Sequence, residues 1–296
     1  MFTAVEHSFL VPFDATFQLA ALPTKTDITY PKDEYKQLLK RDQKELDNLQ
    51  QALYANNQYS VLLVFQAMDA AGKDSTIRAV LKGINPAGCQ VYSFKQPSKE
   101  ELDHDFLWRS AKSLPERGRI GVFNRSYYEE VLVVKVHPEF LQGQRLPNLP
   151  NFSDQNAMSD FWQSRYNSII DHEKHLAANG TIILKFFLNV SQQEQHQRFL
   201  SRIENPKKNW KFSPSDLEES QHWDTYQAAY QELLQQTSKP WAPWYAIPAD
   251  DKEAMRIMVC DIIKQSLDTL HLPYPSLDRK IADQLDKYKS QLKTNK

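Results

Sequence analysis

The residues with the clearest capacity for chemistry lie between Ala67 and Ser75, where the chain reads Ala-Met-Asp-Ala-Ala-Gly-Lys-Asp-Ser. They follow the apolar run 61–65, which is typical of a buried strand. A turn without bulky side chains lets backbone N–H groups point at phosphate oxygens, and the next helix turns its positive dipole end toward the same anion. The pattern predicts a strand, a phosphate loop and a helix start. The expected phosphate-binding residues here are Ala70, Ala71, Gly72, Lys73, Asp74 and Ser75.

Two substitutions distinguish this loop from the common phosphate-loop pattern G-x-x-x-x-G-K-[ST]. Ala67 stands at the first glycine, and Asp74 stands where a hydroxyl usually ligates Mg²⁺. Asp69 places a second carboxylate within the loop. Because extra negative charge in an anion-binding loop makes sense only with a metal ion, we expect Mg²⁺ here. An ordinary helix start can also read A-x-x-x-x-G-K, so the loop alone leaves that alternative open.

A second polar cluster, Asn124, Arg125 and Glu129, follows the run 119–124, a predicted strand. Ligands of open α/β folds bind at the carboxyl ends of strands, so these residues are site candidates. Asn124 takes the place at which many phosphate-loop enzymes carry a metal-binding Asp, although it could instead cap a helix. Arg125 could pair with Glu129, but we favour contact with a phosphoryl group in transit.

The most basic stretch of the chain lies between residues 198 and 211, where five cations face one anion, a local charge of +4. Arg198 and Arg202 are one helical turn apart, and we expect this stretch to form a hinged lid over phosphates. A solvated charged helix is the alternative. Its cations are Arg198, Arg202, Lys207, Lys208 and Lys211. Arg78 and Lys95 complete the expected phosphate-binding set.

Five β-like runs must position these residues, and helical stretches long enough for crossovers separate them. The runs are 61–66, 89–94, 119–124, 181–188 and 243–247. We expect an α/β fold with a five-stranded parallel sheet, in a single domain over 1–296. It carries an N-terminal helical extension over about 1–58, a basic lid over about 191–236 and a helical tail over 275–296. Residues 1–30 have weak periodicity and read as an extended arm, whereas helical spacing begins at Pro31.

Two helix starts carry N-terminal signals that should satisfy unpaired backbone N–H groups. Ser191 is followed three residues later by Glu194. Ser213 precedes Pro214, which suits the first position of a helix.

Composition excludes several classes of protein. With 296 residues, 41% of them hydrophobic, the chain can bury a full core, and its net charge of −1 excludes a generally basic nucleic-acid-binding protein. The longest apolar run is 61–65, so we expect a soluble, cytoplasmic protein without membrane contact. Cys89 and Cys260 have neither zinc-site spacing nor the number for a disulfide framework, which fits a reducing compartment.

Four stretches together resemble the family 2 polyphosphate kinases, over about residues 30–270. They are AMDAAGKDS, FKQPSKEELDHDFLWR, GRIGVFNRSYYEEVLVVKVHP and QRFLSRIENPKKNWKFSPSDL. Four motifs in the right order are far more specific than the loop alone, and the departures from an ordinary phosphate loop are themselves features of this family.

The resemblance implies a thymidylate-kinase-like three-layer α/β/α fold with a helical lid. It implies dependence on Mg²⁺, with Mn²⁺ as the alternative, and transfer of a terminal phosphoryl group between inorganic polyphosphate and a nucleotide (AMP, ADP or ATP). It also implies a homodimer or homotetramer. Asp69, Lys73, Asn124 and Arg125 match the family's catalytic positions, and the five lid cations match its basic lid.

We add Glu129 to the catalytic set and expect Asp69, Asn124 and Glu129 to hold the metal. Many family members carry Asp and Asn where this chain has Asn124 and Glu129. The Asn/Glu version resembles the subgroup, class III, that accepts AMP as well as ADP.

Two other functions compete with this interpretation. An ATP-dependent nucleoside monophosphate kinase shares the fold but normally keeps a hydroxyl where this chain has Asp74. A non-catalytic nucleotide-binding or RNA-binding protein is disfavoured by the balanced charge and the absence of a stacking-module signature, so no nucleic-acid partner is expected.

Overall fold

A parallel five-stranded sheet forms the centre of the computed structural model, which describes residues 2–27 and 29–294. Its strands are β1 (Ser60–Gln66), β2 (Cys89–Ser93), β3 (Ile120–Asn124), β4 (Thr181–Asn189) and β5 (Trp244–Pro248). Each lies within one residue of a run predicted from the sequence, so the predicted α/β fold with five parallel strands is confirmed.

The strands lie side by side in the order β2-β3-β1-β4-β5. In the central strand, Val61 is in register with Ile120 of β3 on one side and with Ile182 of β4 on the other. Every residue of β1, β3 and β5 is buried, which explains their nearly continuous apolar composition. From β1 the chain first adds β2 and β3 on one side of the sheet and then β4 and β5 on the other. Open α/β sheets bind ligands at such a switch point.

Helices cover the sheet in two packed groups, as a three-layer fold requires. The helices are α1 (Lys32–Asn56), α2 (Lys73–Val80), α3 (Lys99–Leu102), α4 (Trp108–Ala111), α5 (Val133–Val136), α6 (Gln155–Ala178), α7 (Gln192–Glu204), α8 (Pro214–Ser220), α9 (Trp223–Thr237), α10 (Lys252–Asp268), α11 (Arg279–Ala282) and α12 (Leu285–Thr294). In one group α10 contacts both α1 and α2, and in the other α6 contacts α9.

The N-terminal extension is helical only from Lys32, so the expectation of a helical extension over about 1–58 is wrong for its first half. In the described residues of that half, 2–27 and 29–31, the helical part is a short 3₁₀ helix, Leu19–Ala21. The rest is an arm that pairs with β5: the Val11 N–H donates to the Trp244 carbonyl at 2.9 Å, and the Ala246 N–H donates to the Phe9 carbonyl at 2.8 Å. The arm thus covers an otherwise open sheet edge. Of the two expected terminal segments, Met1, Ile28 and residues 295–296 lie outside the described residues.

The two predicted helix starts differ in their caps. Oγ of Ser191 accepts a hydrogen bond from the Glu194 N–H at 3.1 Å, as predicted. Ser213 caps no backbone N–H; its hydroxyl lies 2.7 Å from the Ser215 hydroxyl, and Pro214 occupies the first helical position. The predicted helix start is therefore confirmed, with Ser213 at the N-cap position, but the expected side-chain hydrogen bond to a backbone N–H is not formed. In the described part of the chain, no helix combines the length and the apolar character that crossing a membrane requires.

Candidate active site

A cleft of about 720 Å³ opens at the carboxyl ends of the strands. The segments that follow β1, β3 and β4 all contribute side chains to it, among them Asp69, Arg125, Glu129 and Gln195. This is the edge at which the sequence predicts a site.

The predicted phosphate loop lies between β1 and α2. Ala70 has φ of 60° and Gly72 has φ of 109°, both in the left-handed region, which a small residue or glycine adopts at least cost. Gly72 occupies the N-cap of α2 and supplies no capping side chain. The first N–H groups of this helix therefore lack a side-chain partner and can bind an anion.

Lys73 is buried beneath this loop. Its Nζ donates to the carbonyl oxygens of Ala67 at 2.6 Å and of Met68 at 3.3 Å. Burial, together with the positive charge of Arg125, lowers the pKa of Lys73. The side chain therefore braces the loop from within.

Arg125 bridges the ends of β1 and β3. Its guanidinium lies 2.6 Å from Oδ1 of Asp69, and its backbone φ of 62° is in the left-handed region. Glu129 above all, and then Asp69, raise the pKa of Arg125. A non-glycine residue held in this conformation costs free energy and is typical of functional sites. Among the alternatives left open above, Arg125 is hydrogen-bonded to Asp69 rather than to Glu129.

Asn124 does not cap a helix, because that role falls to Ser126, whose Oγ accepts from the Tyr128 N–H at 3.2 Å. Nδ2 of Asn124 instead donates to Oδ1 of Asp74 at 2.5 Å. Asn124 and Asp74 both stand where an ordinary phosphate-loop enzyme carries another residue, and they contact each other, which no spacing rule predicts.

Arg198 is buried and does not lie on an exposed lid, which is where the basic stretch 198–211 led us to expect it. Its side chain is 7% exposed, and each of its five N–H bonds has an acceptor. Nε donates to Glu194, and the two terminal nitrogens donate to the carbonyl oxygens of Ala70, Ala71, Ala249 and Asp250 at 2.6–3.1 Å. Arg198 is thus a buried support that joins the phosphate loop to α7 and to the segment after β5.

The remaining lid cations are more accessible. Arg202 donates to Asp216 at 2.9 Å, and burial together with the charge of Asp69 raises the pKa of Asp216. Lys207, Lys208 and Lys211 are exposed. The end of the expected lid is not mobile surface, because α9 buries Tyr226, Ala229, Tyr230, Leu233 and Leu234. The lid remains a prediction for the exposed part of 200–219.

The structure separates the last two predicted phosphate-binding residues. Lys95 is exposed at the rim of the cleft, and its carbonyl accepts from Arg109 at 2.7 Å. Arg78 is exposed on α2 outside the residues that line the cleft. Burial, and to a smaller extent the charge of Arg78, lowers the pKa of Arg256 on α10.

Sequence reasoning missed two residues of the cleft. Gln195 is buried, and its Nε2 donates to the Asp69 carbonyl at 3.0 Å; its spacing of three residues from Arg198 places both on one helix face, a signal that was available. Asp216 enters through its ion pair with Arg202, which links α7 and α8 and is invisible in local patterns.

The side chains expected to hold the metal ion all offer oxygen atoms. Across residues 2–27 and 29–294, no group of three or more His, Cys, Asp or Glu side chains lies close enough to hold a metal ion. The carboxylates of Asp69 and Glu129 nevertheless line the cleft, and Oε1 of Gln195 is buried there without a hydrogen-bond partner. Oxygen donors of this kind suit Mg²⁺, so the residues present fit the expected ion.

Comparison with known proteins identifies the family of this chain. The sequence profile of polyphosphate kinase 2 (PPK2) matches residues 29–273. The chain is 57% identical to an ADP-polyphosphate phosphotransferase of Rhodopseudomonas palustris over 87% of this chain and 88% of that protein. It belongs to the polyphosphate kinase 2 family.

Other comparisons agree with the family. The chain is 44% identical to an AMP/ADP-polyphosphate phosphotransferase of Meiothermus ruber over 78% of this chain and 80% of that protein. A polyphosphate kinase 2 from Arthrobacter aurescens TC1 has a similar structure, with a TM-score of 0.83 and 34% identity over 97% of this chain and 99% of the other. The predicted family, fold and phosphotransferase class are therefore confirmed.

Proposed function

We propose that this chain transfers the terminal phosphoryl group of inorganic polyphosphate to AMP and ADP, reversibly, giving ADP and ATP. One observation carries the proposal: in a polyphosphate kinase 2 chain, the Asp69–Arg125 pair lines a cleft at the start of the phosphate loop, which Lys73 braces from within. Relatives from Rhodopseudomonas palustris and Meiothermus ruber are named as phosphotransferases for ADP and for AMP/ADP, respectively.

The transfer step needs positioning and charge compensation rather than a covalent intermediate. An oxygen of the acceptor nucleotide's last phosphate attacks the terminal phosphorus of the polymer. The bond from that phosphorus to the bridging oxygen breaks, and the shortened polyphosphate keeps the electron pair. We assign the N–H groups of 70–75 and Lys73 to binding phosphate oxygens, and Arg125 to stabilising the migrating group.

The division of charge across the cleft supports this assignment. Arg125 lines the cleft, pairs with Asp69 and lies in the field of Glu129, so a cation is in place before substrate binds. Arg202 is partly accessible, and Lys207, Lys208 and Lys211 are exposed. Clustered accessible cations of this kind attract a long polyanion. We assign these four residues to the polymer.

We further propose Mg²⁺, replaceable by Mn²⁺, held by the side-chain oxygens of Asp69, Asn124 and Glu129. When bound, such an ion supplies charge neutralisation between two polyanionic substrates. The side-chain amide nitrogen of Asn124 is used by Asp74, which leaves its carbonyl oxygen as the group for a metal.

An ATP-dependent nucleoside monophosphate kinase is the competing function. Asp74 supports the polyphosphate enzyme, because the position of the usual Mg²⁺-binding hydroxyl is taken by a carboxylate that is bonded to Asn124.

The deciding experiment incubates AMP or ADP with polyphosphate and Mg²⁺ in the absence of ATP and separates the nucleotides by chromatography. A second reaction contains ATP and AMP without polyphosphate. We expect ADP and ATP in the first reaction at rates far above the second. ADP formation only in the second reaction would identify the monophosphate kinase instead.

We infer that residues 1–296 form one kinase domain, supported by a continuous buried cluster that extends from Val11 to Leu267.

We also infer a homodimer or homotetramer. An exposed apolar stripe on the tail, with Leu277, Ile281, Leu285, Tyr288 and Leu292, supports self-association. Light scattering coupled to size-exclusion chromatography measures the mass. The free cysteines Cys89 and Cys260 support a cytoplasmic location.

A further inference from the structure

The segment that follows Arg125 is held in place by buried side chains on both sides of Glu129. Tyr127, Tyr128 and Glu130 are at most 3% exposed, whereas Glu129 lines the cleft. These residues form the 3₁₀ helix Tyr127–Val131, which directly continues from the end of β3. The backbone position of Glu129 therefore depends on the partners of its buried neighbours.

Those partners form a network inside the molecule, centred on Glu173 of α6 and Lys185 of β4. Both tyrosine hydroxyls donate to Oε1 of Glu173, Tyr127 at 2.9 Å and Tyr128 at 2.8 Å. Nζ of Lys185 donates to Oε2 of Glu173 at 2.6 Å, to the Tyr128 hydroxyl at 2.8 Å and to the Thr237 carbonyl at 2.8 Å. Every donor of the ammonium group thus has an acceptor.

The chemistry of the network is unusual for the centre of a sheet. Lys185 and Glu173 are both 0% exposed, and Lys185 lies in register between Val64 of β1 and Trp244 of β5. A buried ion pair contributes little net stability compared with apolar residues of the same volume, because both charges lose their hydration. Stability alone therefore does not explain why two charges occupy this position.

The phenols act as fixed donors in this network. Oε1 of a carboxylate can only accept, so both hydroxyls donate to Glu173, and the Tyr128 hydroxyl accepts in turn from Nζ of Lys185. The direction of each hydrogen bond is therefore defined.

Further anchors complete the frame around Glu129. Arg165 of α6 donates to the Glu130 carboxylate at 3.0 Å, and Nε2 of Gln144 donates to the same oxygen at 2.6 Å. On the other side, Nε2 of Gln66 donates to the Ser126 hydroxyl at 3.2 Å. Helix α6 thus holds the segment at two points, through Glu173 and Arg165.

We propose that Lys185 and Glu173 are positioning residues for the nucleotide acceptor, because through Tyr127 and Tyr128 they hold the segment that presents Arg125 and Glu129 to the cleft. The inference rests on the proposed function. The buried ion pair does not touch Arg125 or Glu129, but it fixes their positions through the two tyrosines. Residues that support the side chains of a functional site commonly act in this way.

The test is Tyr128→Phe, which removes the hydroxyl that bonds to both Lys185 and Glu173 and leaves the ring in place. The matched control is Tyr245→Phe, which deletes a buried hydroxyl whose hydrogen bond goes to the Val5 carbonyl of the N-terminal arm. For each enzyme kcat and KM are measured with ADP varied and with polyphosphate varied. Hydrogen–deuterium exchange of residues 125–131 reports the order of the segment independently of activity.

We expect Tyr128→Phe to lower kcat/KM for ADP by about 10-fold, to leave the KM for polyphosphate unchanged and to speed exchange of 125–131. Tyr245→Phe should change none of the three. Equal acceptor constants in the two variants, or equal exchange, would overturn the positioning role. A parent protein inactive with polyphosphate would overturn the proposed function instead, and exchange would still decide whether the network orders the segment.

A second variant guards against simple misfolding. Lys185→Met alone leaves Glu173 as an unpaired buried charge, which is strongly destabilising. The double variant Lys185→Met/Glu173→Leu removes both charges and is expected to remain folded. If it melts close to the parent and keeps full kcat/KM for ADP, the pair is structural only.

Discussion

Arg198 and Arg202 lie one turn apart on α7, and their guanidinium groups have entirely different partners. Arg198 is 7% exposed and donates to four backbone carbonyls and to Glu194, whereas Arg202 is 22% exposed and pairs with Asp216 on α8. One arginine holds the phosphate loop in place. The other joins two helices at the mouth of the cleft, where an incoming anion can compete with Asp216.

Arg202→Ala should weaken binding of the polymeric donor. Loss of one partly exposed charge contact of about 1 kcal/mol corresponds to an increase of about five-fold in the apparent constant for polyphosphate. The increase should shrink at high salt because the contact is screened. Arg41→Ala, a change at an exposed arginine on α1, serves as the control. Unchanged donor constants and unchanged salt dependence would return α7 to the solvated-helix alternative.

Arg198→Ala should act on stability instead. Truncation leaves four carbonyl oxygens of the loop and of the 249–250 segment without their buried donor, so we expect a loss of about 3 kcal/mol or more. Arg202→Ala should lose about 1 kcal/mol or less. Urea unfolding of the two variants measures the difference. Equal losses would mean that Arg198 does not support the loop.

The contrast between these arginines shows which features the sequence could predict. The strands were predictable to within one residue because β-branched and apolar runs mark buried parallel strands, and parallel strands end at one edge. Asp69, Arg125 and Glu129 were therefore predictable as neighbours. The burial of Arg198 was not, since its acceptors include Ala249 and Asp250, about 50 residues further along the chain.

Two other features were missed for the same reason. Weak periodicity indicates an extended arm over residues 1–30, but the pairing of this arm with β5, more than 200 residues later in the chain, leaves no local signal. Lys185 reads as a polar interruption of β4, and only the folded chain shows that Glu173 and Tyr128 meet it. Long-range hydrogen bonds of charged groups leave no periodic signal in a sequence.

Lys73→Ala should lower turnover by roughly 10³-fold or more, the scale of a lost transition-state charge contact. The fold should persist, although the carbonyls of Ala67 and Met68 lose their donor. Circular dichroism checks folding, and Lys82→Ala, at an exposed lysine just after α2, is the control. A folded Lys73→Ala protein within a few-fold of the parent rate would remove Lys73 from the catalytic set.

Cys260 should make stability depend on pH in alkaline solution. The thiol is 0% exposed, and burial raises its pKa to about 12 from the ordinary 9.0. Above pH 9 the unfolded chain releases this proton and the folded protein keeps it, so the free energy of unfolding falls as pH rises. Between pH 8 and pH 10 the parent should lose about 1 kcal/mol more than Cys260→Ala in urea unfolding. Parallel losses would show that the thiol titrates normally in the fold.

Glu129→Asn should separate the two acceptors. AMP and ADP differ by one phosphoryl group, so the cleft must bring metal and charge to a point one phosphate further along the nucleotide when AMP is the acceptor. The Glu129 carboxylate lines the cleft beside Arg125 and has the length to orient a divalent ion there, whereas an amide supplies no charge to hold it.

We therefore expect the parent to phosphorylate both acceptors and the variant to lose kcat/KM for AMP about ten-fold more than for ADP. Both are measured with polyphosphate and saturating Mg²⁺ and without ATP. Glu139→Gln, which removes an exposed carboxylate from the rim of the same cleft, should leave the ratio unchanged. A parent inactive on AMP would remove the class III assignment. An unchanged ratio in Glu129→Asn would remove Glu129 as its cause, and phosphorylation of ADP from polyphosphate would still stand, because it depends on the loop and on Arg125 rather than on the length of this side chain.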